Sequence, residues 1–316
     1  MNRKYFITIL CLISFVWSQS LRVGFWNVEN LFDLEDDPTT RDEEFALGGR
    51  KNVTQDIYDL KLKNCSFVLA DLNADVLGLC EVENYFVLDE LNKAYVDRDY
   101  KIIHYDSPDS RGIDNALLYD PSVFEVIATK PIQNKLPSGK PTRDILYVKG
   151  KYKEHTLHIY VNHWPSNYGG KEQAIPKRRV TARLLANEVA EVISNDPDAE
   201  ILLIGDFNED PTDENVRILQ SVKMSSMMAP MMGQPKVGTY VYKGVDYFLD
   251  QIIISNGLND DEGLTAGKAH ILDKPFYRQQ EGNYAHYPFR FWAGNKLLGG
   301  YSDHLAVYVE IRKVSE

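Results

Sequence analysis

The stretch Ile201-Leu202-Leu203-Ile204-Gly205-Asp206-Phe207-Asn208 sets branched apolar residues directly against an acid and an amide. Such a run reads as a buried strand. Gly205 lets the backbone turn or be approached closely. Side chains two apart on a strand share a side, so Asp206 and Asn208 would converge on one hard cation or phosphate. By itself the segment is equally a strand running into an Asx-rich turn. The pattern recurs, however. Residues 21–26 run into Asn27-Val28-Glu29-Asn30, and 75–80 into Glu81-Val82-Glu83-Asn84. Residues 155–162 close on His163-Trp164-Pro165, 248–254 carry Asp250, and Ser302-Asp303-His304 precedes 305–311. An ionised group near a core needs a partner or a cation to offset its desolvation, so these strand ends read as one active-site rim.

Helices alternate with the strands. Ile57, Leu60, Leu62, Phe67, Val68 and Leu69 give residues 55–72 a helical spacing, and 87–95 read as a short helix. The strongest helix has Pro176 in its first turn, an apolar stripe through Val180, Leu184, Leu185, Val189, Val192 and Ile193, and an end near Asn195. Its Arg178, Arg179 and Arg183 read as a solvated face. Residues 100–105, 115–119, 123–129 and 145–152 read as further strands. The Met-rich segment from Met224 to Met232 reads as adaptable packing. Residues 256–300 are polar, aromatic and Gly-rich and read as long loops.

Residues 1–20 stand apart from the fold. Asn2-Arg3-Lys4 is a basic start, residues 6–17 are apolar, and Ser18-Gln19-Ser20 offers small residues for cleavage near 18–20. That is the pattern of a secretory signal peptide, so export to the periplasm or medium is expected, with a single domain over 21–316. The chain has 35 Lys and Arg against 46 Asp and Glu; loss of Arg3 and Lys4 leaves 33 minus 46, or −13. No basic total advertises a grip on duplex DNA, although metal-binding carboxylates also make a chain acidic. Only Cys65 and Cys80 follow the leader, too few for a disulfide framework, and both read as small buried apolar side chains.

The chemistry that these groups fit is metal-assisted phosphoester hydrolysis. Carboxylate and amide oxygens without a cysteine cluster suit Mg²⁺ or Mn²⁺, with Ca²⁺ also compatible. A histidine takes a proton from water near neutral pH, and a carboxylate on its other nitrogen fixes the tautomer. No serine lies in a nucleophile-elbow context, so water is the expected attacking group.

In Trp26-Asn27-Val28-Glu29-Asn30, Leu79-Cys80-Glu81-Val82, Val161-Asn162-His163-Trp164, Gly205-Asp206-Phe207-Asn208 and Ser302-Asp303-His304, the chain resembles the endonuclease/exonuclease/phosphatase superfamily over residues 21–312. The resemblance implies an α+β fold of the deoxyribonuclease-I-like kind, a four-layer α/β/β/α sandwich of two mixed β-sheets. It implies that Glu81 is the principal metal ligand, helped by Asn27 with Asp303 nearby, and that Asp206 and Asn208 position phosphate and nucleophile or share a second ion. His304 would activate water, oriented by Asp250, and His163 would stabilise the phosphate or protonate the leaving group. Arg111, Asn115 and Tyr119 fall where relatives carry substrate-side groups. Glu29 and Glu83, two residues from Asn27 and Glu81, are rival ligands that the family positions disfavour.

The superfamily does not fix the substrate. The reading favoured is an exported nuclease acting on DNA or RNA, monomeric and without an obligate protein partner. A lipid phosphodiesterase acting on a headgroup, a phosphomonoesterase and a catalytically dead binding module are the alternatives. Tyr277, Tyr284, Tyr287, Phe289, Phe291 and Trp292 would stack on bases, meet a membrane surface, or simply pack.

Overall fold

Strands apolar on both faces must be covered on both faces, and the computed structural model, which describes residues 20–314, meets that demand with four layers. The leader expected at 1–20 lies outside the described residues except for Ser20. The first third of the chain supplies β1 (Leu21–Leu31), α1 (Gln55–Leu72), β2 (Val76–Val82), α2 (Tyr85–Ala94), β3 (Lys101–His104) and β4 (Asp114–Tyr119). The middle supplies β5 (Phe124–Ile132), β6 (Ile145–Tyr152), β7 (His155–His163), α3 (Lys171–Asn195), β8 (Glu200–Asp206), α4 (Glu214–Gln220) and β9 (Met224–Ser226). A ribbon of β10 (Tyr240–Tyr242) and β11 (Val245–Tyr247) precedes β12 (Asp250–Ser255) and β13 (Leu264–Ile271). A second ribbon, β14 (Trp292–Ala293) with β15 (Lys296–Leu297), leads to β16 (Val307–Lys313).

One six-stranded sheet has the order β13-β16-β1-β2-β4-β3 and the other β5-β6-β7-β8-β12-β9. Both are mixed: β1 with β2 and β7 with β8 are parallel, while β16, β4, β6 and β12 join them antiparallel. The period-two alternation of each strand then makes the layers. Leu202 and Ile204 enter the core between the sheets with Val23, Phe25, Val161 and Ile252. Ile201 and Leu203 face the other way, under α3 and α4, with Leu185, Val189 and Val216. Leu77 and Leu79 lie likewise under α1 and α2 with Leu62, Leu69 and Leu88. This is the expected sandwich.

The helices begin and end where local chemistry provides for it. The Thr54 side chain accepts from the Ile57 N–H at the start of α1, and Asn73 closes the helix in the left-handed region (φ 45°). Tyr58, Leu62, Cys65, Leu69 and Leu72 recur at intervals of four and three and form its buried stripe. Asn84 caps α2 by accepting from the Val87 N–H at 3.0 Å. Cys65 and Cys80 are buried and unbridged, and among the described residues no helix is long and apolar enough to cross a membrane.

Elsewhere the structure departs from the sequence reading. α3 begins at Lys171, so Pro176 lies inside it rather than in its first turn. The buried face of α3 includes Arg178, which is not solvated at all. Residues 256–300 are not loops throughout: β13 forms a sheet edge beside β16. Its Thr265, Ala266, Gly267 and Ala269 are too small and mixed to have announced a strand. Tyr119 lies opposite Val76, at the far end of β2 from Glu81, roughly 17 Å along the strand. There it packs against Phe124 and the inter-sheet core, so it is not a substrate-side group.

Between the sheets, β2 has Gly78 packed closely against the facing strands. A Cβ there would lie 2.8 Å from Ile204 Cδ1 and 3.2 Å from Phe25 and Val161 atoms. Gly78→Val is therefore expected to lower unfolding stability by about 1–3 kcal/mol in urea titration; no loss would mean that the sheets part freely. At the end away from Asp206, Glu200 on β8 accepts from the Leu264 N–H of β13 at 2.9 Å and so ties one sheet to the other. Burial pushes its carboxyl up to about 7, with Asp260 and Asp196 adding to the rise and the Leu264 N–H opposing it. A carboxyl raised in the folded state contributes stability that is complete below its unfolded pKa and lost as pH rises through the folded one. The thermal midpoint should fall between about pH 5 and 8, and less steeply in Glu200→Gln; equal slopes would refute this.

Candidate active site

The polar cluster sits where the inward-pointing series of each strand runs out. Asn27 follows Val23 and Phe25, His163 follows Ile159 and Val161, Asp206 follows Leu202 and Ile204, and Asp250 precedes Ile252 and Ile254. Alternation therefore aims all four between the sheets. Register brings them together: His163 lies beside Asp206 across the parallel β7–β8 pair, and Asp250 lies opposite Asp206 across β8–β12. Asn27 spans the gap between sheets, its Nδ2 donating to Asp206 Oδ2 at 3.2 Å.

Glu81 breaks the alternation. Cys80 faces inward and Val82 faces the helices although they are two apart, because β2 bulges at Glu81, whose φ is 62°. The bulge sets Glu81 Oε1 at 3.9 Å from His163 Nε2, while Oε2 accepts from the Asn30 N–H at 3.0 Å. A second irregularity in β1, with Glu29 and Asn30 also at positive φ, separates Glu29 from the site. Glu29 accepts from the Phe291 and Trp292 N–H groups at 2.6 and 3.0 Å, and Glu83 accepts from the Asp33 N–H at 2.7 Å. Both rivals of Glu81 and Asn27 are loop anchors.

His304 donates through Nδ1 to Asp250 Oδ2 at 2.7 Å, and its Nε2 is 4.0 Å from Asp206 Oδ2. Burial opposes its charged form, but Asp250 first and Asp206 next outweigh it and hold the imidazole pKa well above the ordinary value. Its main chain is fixed on both sides: N–H donates to Ser302 Oγ at 3.0 Å, and the carbonyl accepts from Trp26 Nε1 at 3.1 Å. His163 is the opposite case. Burial, reinforced by Arg143, Arg111 and His304, keeps it neutral. Two histidines of one cluster are thus driven apart in charge.

Asn208 is at the site for a different reason from the one its spacing suggested. β8 stops at Asp206, and Asn208 turns back at φ 52°. Its N–H donates to Asp206 Oδ1 at 2.9 Å, and its amide Nδ2 donates to the Trp164 carbonyl at 3.1 Å. It ties the ends of β7 and β8 together.

The donor set fits a hard divalent cation. Glu81, Asp206 and Asp250 crowd one another: burial raises the Asp206 carboxyl pKa, and Asp250 and Glu81 raise it further against the opposing His304. Asp250 Oδ1 is buried without a hydrogen-bond partner. Ligand atoms of Asp206, Asp250 and His304 lie within 4.8 Å of one another, though the Asp250–His304 hydrogen bond already occupies one atom of each. Asp206 accepts on both oxygens, from Asn27 Nδ2 and the Asn208 N–H, and Glu81 accepts on Oε2 from the Asn30 N–H, so a cation would be met by the lone pairs that these single hydrogen bonds leave over. Asn27 has less to give than expected, since its Oδ1 accepts from the Glu29 N–H at 3.0 Å. Asp303, near enough to His304 to favour its charged form, pairs through Oδ2 with Arg290 Nη2 at 2.7 Å.

Arg111 is part-exposed beside Asp109 and close enough to affect His163. Asn115 donates to the Asp144 carbonyl at 2.8 Å and buries its Oδ1 unpaired. The sequence reading passed over Arg143 and took Arg178 for a solvated residue, yet both hold the cluster. Arg143, buried, donates to the Trp164 carbonyl at 2.8 Å and to Asp109 Oδ2 at 3.2 Å. Arg178, buried, donates to Glu209 Oε1 at 2.7 Å and to the Pro165 carbonyl at 3.0 Å. Both reach back to the loop after His163, and no spacing rule could have joined residues so far apart in sequence. Tyr240 lies over His304, with ring centroids 4.8 Å apart.

A profile described as Endonuclease/Exonuclease/phosphatase family matches residues 22–313. No curated protein matches the chain in sequence. Among solved structures, truncated Caenorhabditis elegans TDP2 is similar with a TM-score of 0.61 at 19% identity, covering 93% of this chain and 97% of that one. An endonuclease/exonuclease/phosphatase family protein from Bacteroides thetaiotaomicron gives 0.60 at 16%, covering 94% and 99%. D. rerio TDP2 complexed with single strand DNA product gives 0.59 at 16%, covering 93% and 99%. At these identities the likeness is one of fold.

Arg178→Met should destabilise the protein by about 3–5 kcal/mol, because it strands Glu209 as a buried charge. Arg178→Met with Glu209→Leu should recover much of that in urea titration. A double variant as unstable as the single would mean that packing, not charge, is the cause.

Proposed function

This chain belongs to the endonuclease/exonuclease/phosphatase family, and on that premise we propose that it is an exported, divalent-metal-dependent phosphodiesterase that hydrolyses nucleic acid with water as nucleophile. The observation that carries the reading is the His304–Asp250 hydrogen bond at 2.7 Å, with the second nitrogen of His304 turned toward Asp206. In this reading a single domain begins at about residue 21, after removal of the basic-apolar leader.

Glu81 and Asp206 would hold the cation, with Asn27 contributing its remaining amide lone pair. A divalent ion there would draw charge from a phosphoryl oxygen and, by offsetting the carboxylates, lower the His304 pKa toward one that accepts a proton. His304 takes a proton from water through Nε2 as the water oxygen bonds to phosphorus, the ester P–O bond on the far side breaks and the departing alkoxide is protonated by solvent; Asp250 stabilises the imidazolium and fixes its tautomer. His163, kept neutral, donates a hydrogen bond to a phosphoryl oxygen rather than a full proton. Asp206 and Asn208 set the phosphate against the water, and Arg111 adds positive charge at the rim. Nucleic acid is favoured over a lipid headgroup by the DNA product bound to the similarly folded TDP2 of D. rerio.

The test is the mature protein with plasmid DNA, single-stranded oligonucleotide and sphingomyelin vesicles, each with Mg²⁺ and with chelator. DNA cleavage abolished by chelator is expected; turnover of sphingomyelin alone would replace the nuclease with a lipid phosphodiesterase. His304→Ala should lower kcat by about 10²–10⁴-fold, and near-normal turnover in a folded His304→Ala protein would remove the base role. Glu81→Gln should raise the Mg²⁺ concentration needed for activity; full activity at low Mg²⁺ would remove the metal role. N-terminal sequencing of the exported protein should start between residues 18 and 22.

A further inference from the structure

The ribbon of β10 and β11 is rooted on the His304–Asp250 pair. Thr239, fully buried just before β10, accepts the Asp250 N–H on its Oγ1 at 3.1 Å and the Leu305 N–H on its carbonyl at 2.8 Å. One residue thus bolts the ribbon to both segments that carry the pair. From that root the ribbon has two unlike faces. Tyr240 pairs with Tyr247 and Tyr242 with Val245, so these four share one face; Val241 and Asp246 share the other. The second face is spoken for: Val241 is buried, and Asp246 lies 3.2 Å from His286 Nε2. The first begins with the Tyr240 ring over His304 and runs outward, one pleat or roughly 7 Å, to Tyr242 and Val245. Tyr242 is 52% exposed and Val245 51%. The tip is held out, since the Gly244 N–H donates to Tyr287 Oη at 2.6 Å.

We propose that this tyrosine face is a stacking subsite for an unpaired nucleobase next to the phosphate under attack, which makes single-stranded nucleic acid the preferred substrate. The inference rests on the reading of His304 as the reacting centre and adds to it a substrate class. A strip of rings rising from the base residue offers an apolar plane where the substrate emerges. A chain with this acidic excess gains less from counterion release than a basic one would, whereas base–aromatic stacking needs no net positive charge. Lys243 Nζ lies over the Tyr242 ring, 5.3 Å from its centroid, so a base stacking on that face displaces the ammonium, which its flexible stem can carry to the strand's backbone.

The experiment compares an oligothymidylate with an oligonucleotide of equal length whose bases are replaced by abasic spacers. In the wild type, kcat/KM should favour the base-bearing strand. Tyr242→Ala should collapse that ratio by about tenfold, within the range of one lost stacking contact, and Tyr242→Trp should restore it. With chelator present, fluorescence polarisation of labelled oligothymidylate should show the same order of binding. Melting temperatures establish that each variant is folded; should Tyr242→Ala not fold, Val245→Ser on the same face is read instead. An unchanged ratio in a folded, active variant overturns the subsite and leaves the nuclease standing. Loss of sphingomyelin vesicle turnover in Tyr242→Ala, with the nucleotide ratio intact, makes the strip a membrane contact and also overturns it. A wild type inert on every phosphodiester overturns the catalytic reading and the subsite together.

Discussion

Everything in this molecule is arranged around carboxylates that are buried at the ends of strands between two sheets. Asp206 and Asp250 face each other across one strand pair, both shielded from water, with Glu81 close by. Such a group of like charges persists only if something nearby is positive or donates hydrogen bonds. The protein supplies His304 as a cation and Asn27 as a donor, and it leaves a shortfall that a divalent ion would meet. The same crowding explains why two histidines a few ångströms from one carboxylate differ in state. His304 is paired with Asp250 and held charged, whereas His163 sits among Arg143, Arg111 and His304 and is held neutral.

A cluster of this kind needs its loops pinned, because a strand end frays unless its backbone is held. The pins are polar and buried. Arg143 and Asn208 share the Trp164 carbonyl; Arg178 joins the Pro165 carbonyl to Glu209; Glu29 takes two N–H groups at the start of β14. Each contact lies just outside the reacting groups and fixes where they stop. Thr239 does the same for the β10–β11 ribbon, joining it to the segments that carry Asp250 and His304.

Much of this was legible before any coordinates. Residues 55–72 and 145–152 carry their apolar periodicity plainly, and both elements have those bounds. The residues at strand ends could be picked out because an acid or histidine directly after a buried run is costly without a purpose. What stayed hidden had physical reasons. β13 is built from small residues with no apolar signature, Pro176 mimicked a first turn while lying inside a helix, and Tyr119 had the right strand but the wrong end. Arg178 looked solvated because its partner, Glu209, lies 31 residues on, in the turn after β8. The pairing of Asp303 with Arg290 was hidden because Arg290 lies in a region with no periodic signal.

The sequence by itself determined the layers, since strands apolar on both faces admit only cover on both faces, and it determined which residues end those strands. The tertiary structure decided what those residues could do. It turned Glu81 inward through a left-handed bulge that alternation would have forbidden, brought Asp250 beside Asp206 by running β12 against β8, and gave the two histidines opposite charge states. Register and bulges are set by long-range pairing, and charge state by neighbours distant in sequence. Neither is written in any local run of residues.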